Sequence, residues 1–103
     1  MTTFAAAVDR LINQVAHWEQ PRWWAHLEGA GPTRGDLVYA LVQRLADVGA
    51  DAEHRERRPV PRVGDMSLPD QLRVMADDVI AAEPPGEALN RAVDDIDTVR
   101  RSL

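Results

Sequence analysis

Trp18, Trp23 and Trp24 fall within seven positions of a 103-residue chain that otherwise holds one Phe and one Tyr. Indole rings bring a large apolar area and one N–H donor, so they either close a core or anchor an interface. Successive helical positions point about 100° apart, so Trp23 and Trp24 cannot serve one spot. Two readings follow: two of the three cover the end of a helical bundle with Leu27, or at least one faces outward as a contact anchor. The second dense signal is Arg55-Glu56-Arg57-Arg58-Pro59-Val60-Pro61-Arg62, which carries +3 between flanks of −3 and −5. Arg55, Arg57, Arg58 and Arg62 on an extended segment could grip acidic helices of their own chain or an acidic partner.

Carboxylates and imidazoles offer less. If the last two helices form an antiparallel hairpin about Pro85, Asp78 and Asp95 come to one height and could face each other, as weak candidates for a hard cation. The plainer expectation is surface pairing, Arg73 with Asp77 and Arg91 with Asp94 and Asp95, at helical spacing. His17, His26 and His54 lie on different segments, with no HExxH or ExxH spacing. His17 and His26 converge only if the chain reverses near Pro21, with Glu19 or Glu28 as a third ligand. Gly29, Gly31 and Gly35 surround a helix start, and no strand precedes them, so they read as a loop and cap. The Arg34-Gly35-Asp36 tripeptide is coincidental there. No catalytic residue and no cofactor is assigned.

The bulk numbers set bounds. The chain is 45% hydrophobic and 28% charged, its net charge is −5, it has no Cys, and all twelve basic residues are Arg. A chain of this size can bury a core without staples and is expected to form one domain, residues 1–103. The lack of Cys excludes a disulfide framework, a thiolate nucleophile and Cys-ligated zinc. Uncharged stretches fall short of the ~20 apolar residues a membrane span needs, so a cytoplasmic protein that engages no membrane is expected. A short basic patch on an otherwise acidic chain also argues against nucleic acid.

The elements that must position these residues are helices. Phe4, Val8, Leu11, Ile12 and Val15 make an apolar stripe over residues 3–18, with Thr2 or Thr3 as cap. Pro21 starts a short helix in PRWWAHLE that Gly29 ends. Thr33 and Asp36 have capping-box spacing ahead of Leu37, Val38, Leu41, Val42, Leu45 and Val48, with Gly49 as the stop. Residues 50–66 read as a long extended connection, pinned by Val60, Val63 and Met66. Ser67 caps a helix whose stripe is Leu68, Leu72, Met75, Val79 and Ile80, and Pro84-Pro85-Gly86 ends it. The last helix carries Leu89, Ala92, Val93, Ile96, Val99 and Leu103, with Arg100 and Arg101 in the final turn, where cations suit the helix dipole. No segment alternates with period two. The fold class is therefore all-α: a four-helix bundle-like domain, with a short extra helix after the first and a long extended connection between the central and third main helices.

The order Trp18, Pro21, Trp24, then Thr33-Arg34-Gly35-Asp36-Leu37-Val38-Tyr39-Ala40-Leu41, resembles the first two helices of DinB-like and mycothiol-dependent isomerase proteins. That resemblance implies a metal-dependent four-helix bundle acting on small molecules or thiol adducts. In that family the Asp-Leu-Val helix carries a metal-binding His, whereas this one continues with Ala40 and Leu41 and holds no His. The whole chain, with RRPVPR leading into LPDQL, also resembles small helical proteins of high-GC bacteria, which implies no particular activity.

The function expected from these residues is a non-enzymatic protein–protein interaction or regulatory role. Its contact surfaces would be Trp18, Trp23 and Trp24 and the Arg55–Arg62 segment, with an unidentified protein or a second copy of the chain as partner. The alternative is a small metal-assisted enzyme or ligand-binding bundle using Asp78 and Asp95, or His17 and His26.

Overall fold

The computed structural model describes residues 2–103. Five α-helices follow one another: α1 Thr2–Val15, α2 Gln20–Trp24, α3 Arg34–Ala52, α4 Leu68–Ala82 and α5 Gly86–Ser102, with a 3₁₀ turn over Asp65–Ser67 ahead of α4. No strand forms among the described residues, and the fold is an all-α bundle, as the periodicity predicts. The nearest approach to a sheet is an isolated antiparallel bridge between His26 and Thr33 in the turn from α2 to α3.

The four long helices form a ring in which α1 packs on α4 and α5, and α3 packs on the same two. Helices α4 and α5, although joined by only three residues, lie across the bundle from each other. The antiparallel hairpin expected about Pro85 is thus not formed. Glu83 ends α4 in the left-handed region (φ 50°) and two prolines follow, so the chain leaves at an angle that carries α5 to the far side of α3. One hydrophobic cluster joins Phe4, Leu11, Trp23, Leu41, Leu45, Leu72, Val79 and Ile96, with Val60 added from the connection.

Several termini differ from the sequence reading. Helix α1 already includes Thr2, so Thr2 and Thr3 lie inside its first turn. Helix α2 stops at Trp24, because Ala25 turns extended (ψ 134°) and its neighbour His26 enters the bridge, well before Gly29. Helix α3 runs through Gly49 to Ala52. Gly49 is not a stop but an interior position packed on α4, where a Cβ would sit in ordinary contact, 4.0 Å from the backbone of Asp78 and Val79. The true end is a Schellman arrangement, in which the Arg55 N–H donates to the Ala50 carbonyl (2.8 Å) and the His54 N–H to that of Asp51 (3.2 Å). His54 takes the left-handed position (φ 57°) that glycine usually fills. Ser67 makes no side-chain cap, since the 3₁₀ turn leads directly into α4. The Thr33–Asp36 capping box does form, with both reciprocal hydrogen bonds at 3.0 Å.

Candidate interaction surface

The three tryptophans separate by environment. Trp18 and Trp23 are buried, with ring centroids 4.9 Å apart in an edge-to-face arrangement, and the Arg22 guanidinium lies 4.8 Å from the Trp18 ring centroid. Trp24, one position on, is 61% exposed. The short helix therefore inserts one indole into the core and turns the next outward, as the 100° step requires.

Trp24 lines a hollow with Gln20, Thr33, Asp36, Arg62, Gly64 and Asp65. The two residues flanking Gly64-Asp65, Val63 and Met66, are also exposed, at 65% and 57%. They were expected to pin the connection, but only Val60 does so. Met66 sits within the 3₁₀ turn, and Val63 precedes Gly64, whose positive φ (123°) reorients the chain. Three of the four exposed large hydrophobics of the described chain thus gather at one end, the fourth being Val74 on α4.

The floor of this hollow is fixed by charge. Arg62 bonds Asp36 at 2.8 Å and Asp65 at 3.4 Å, and its guanidinium covers the Tyr39 ring at 4.8 Å. Gln20 donates from Nε2 to the Asp65 carboxylate (3.1 Å), tying α2 to the turn. The Asp65 carboxylate rests where a Cβ on Gly35 would be, only 2.5 Å from the ideal position, so glycine is required for that approach. The backbone N–H of Thr33, followed by Arg62, holds the Asp36 carboxyl below its ordinary value.

The connection from Arg55 to Gly64 runs extended along the bundle as a strap. Its backbone has no regular ladder, so side chains satisfy it. Gln43 accepts from the Val60 N–H (2.7 Å) and donates to the Arg58 carbonyl (3.0 Å), Tyr39 donates to the Val60 carbonyl, and Gln71 donates to that of Pro61 (3.0 Å). Of the strap's arginines, Arg57 donates to Asp51 from Nε and Nη2 (2.9 and 2.7 Å) and Arg55 bonds Glu53. The Arg57 contact lowers the Asp51 carboxyl. Arg58 has no ion-pair partner among the described residues, and its side chain is exposed.

The acidic and imidazole candidates do not converge. Asp95 is held by Arg44 of α3 in a two-point contact (2.7 and 2.9 Å), whereas Asp78 is exposed beside the strap, lining a hollow with Gly49 and Met75. They cannot face each other because α4 and α5 are diagonal. Arg73 likewise reaches across to Asp9 of α1 (2.7 Å) instead of Asp77. His17 is exposed near Glu19 and Arg22, and His26 is exposed against the Gly31 carbonyl. No three His, Cys, Asp or Glu side chains among the described residues are grouped so as to hold a metal ion. The residues present do not fit the metal that the DinB-like resemblance implies, since α3 offers no His and no other donor set replaces it.

A further concavity, about 420 Å³, lies between the C-terminal half of α3 and the first half of α5, with Arg44, Arg57 and Arg91 on it. Sequence reasoning did not single out Arg44 or assemble this trio, because the three come from α3, the strap and α5. No helix among the described residues is long and apolar enough to cross a membrane. Compared with protein-family models, curated proteins and solved structures, the chain matches none.

Proposed function

We propose that the protein is a non-enzymatic interaction module whose contact surface is the end of the bundle carrying Trp24, Val63 and Met66. The observation that carries this reading is the exposure of Trp24 beside a hollow built by buttressed charges, while its neighbours Trp18 and Trp23 are packed together inside. A rigid aromatic anchor held by a folded scaffold loses little side-chain freedom on binding, which is why Trp dominates interface hot spots. The partner is a protein, a second copy of this chain included. Nucleic acid is disfavoured because the basic segment is short and the chain as a whole carries a net charge of −5. The protein acts in the cytoplasm on this reading.

Site-specific photo-crosslinking tests it. A benzophenone side chain placed at position 24 or 66 in cells of the source organism should trap the same partner, while position 74 should trap none. Sedimentation of purified wild type against Trp24→Ala then separates self-association from a foreign partner. Identical adduct patterns at all three positions, or none at 24 and 66, would remove the basis for the reading.

A further inference from the structure

We propose that the cleft between α3 and α5 binds a small organic carboxylate with an apolar body, seated on Arg91. Arg91 would ordinarily pair with Asp95, four residues along its own helix. Here Asp95 is taken at two points by Arg44, at 2.7 and 2.9 Å, so Arg91 has no carboxylate partner among the described residues. Arg57, held by Asp51, sits on the same cleft. Three guanidinium groups line the cleft with Asp51 and Asp95, and Asp47 reaches Arg57 at 4.0 Å, so of the three only Arg91 is left without a carboxylate in contact among the described residues.

Below that rim the surface is apolar, made by Val48, Pro84, Ala88 and Ala92. The two alanines on α5 keep the cleft open where larger side chains would fill it. A volume of about 420 Å³ suits a compact metabolite. Guanidinium binds carboxylate through two parallel N–H···O contacts, and the apolar floor takes the remainder of the ligand. Inorganic phosphate would satisfy the rim but leave the floor wet, so the combination selects an amphiphilic carboxylate. The exposed Arg44–Asp95 and Arg57–Asp51 pairs are individually weak, so both guanidinium groups can add a contact to an arriving anion without losing a large stabilisation.

Octanoate, 1-octanol and inorganic phosphate, each titrated into the ¹⁵N-labelled full chain, decide the matter. Octanoate should give saturable amide shifts confined to residues 44–52, 57 and 86–95. Its affinity should fall at least tenfold in Arg91→Gln and recover in part in Arg91→Lys, with both variants melting like wild type because Arg91 is exposed. Shifts centred on Trp24 and Met66 instead, equal binding of the neutral alcohol, equal binding of phosphate at the same residues, or an Arg91→Gln variant that binds as wild type would each overturn the proposal.

Discussion

Trp23 and Trp24 are neighbours in sequence with opposite energetic roles. Trp23 is 1% exposed against Trp18, so Trp23→Ala should cost about 3–5 kcal/mol in chemical denaturation. Trp24→Ala should change stability by no more than about 0.5 kcal/mol. Acrylamide should quench roughly one indole in three, and Trp24→Phe should abolish that accessible fraction; quenching that survives the substitution would mean that Trp18 or Trp23 is reachable. The sequence limited how many of these rings could share a face, but not which one turned outward, because α2 is too short to show a stripe. Arg44 was illegible for a different reason. A lone Arg in a helix has no role until the fold brings Asp95 to it, and helical spacing offers Asp95 a nearer neighbour in Arg91 on its own helix.

The strap and the α3 cap are the elements whose behaviour depends most on polar contacts. Gln43 satisfies two backbone groups of the strap at once, so Gln43→Ala should leave the Val60 N–H without a partner. The expected cost is about 1–3 kcal/mol, with faster amide exchange at Val60 measured by NMR. Unchanged exchange there would mean that the burial of Val60 alone holds the strap. At the start of α3, the Asp36 carboxyl in the folded state lies below its ordinary 3.8, chiefly through the Thr33 N–H and then Arg62. A lowered folded value means that the stabilisation is complete well above pH 3.8 and is lost as pH falls from there through the folded value. Asp36→Asn should therefore be less stable than wild type at pH 7, and the two denaturation midpoints should converge in acid. Helix positions, the capping box and the extended connection could all be read from periodicity and turn residues. The end of α3 could not, because a Schellman turn closed by His54 carries none of the glycine signal, while Gly49, which carries it, lies inside the helix.

For the molecule as a whole, one hydrophobic cluster draws side chains from all five helices and the strap. Unfolding should accordingly be a single cooperative transition, with far-ultraviolet circular dichroism and tryptophan fluorescence superimposing on a guanidinium axis. Separate midpoints would indicate that the Trp18–Trp23 end melts on its own. The four-helix class follows from one-sided stripes that each need a partner, and that much was legible. The pairing of helices was not, since it turns on how Glu83 and the two prolines redirect three residues of chain. That redirection sets the order in which partners become available during synthesis. Phe4, Val8, Leu11 and Val15 of α1 are covered by α4 and α5, and α4 begins more than fifty residues after α1 ends. At ribosomal speeds of about 5–20 residues per second, the first helix emerges on the order of three to ten seconds before its earliest partner. Through that interval its greasy face is a substrate for nascent-chain chaperones rather than part of a fold.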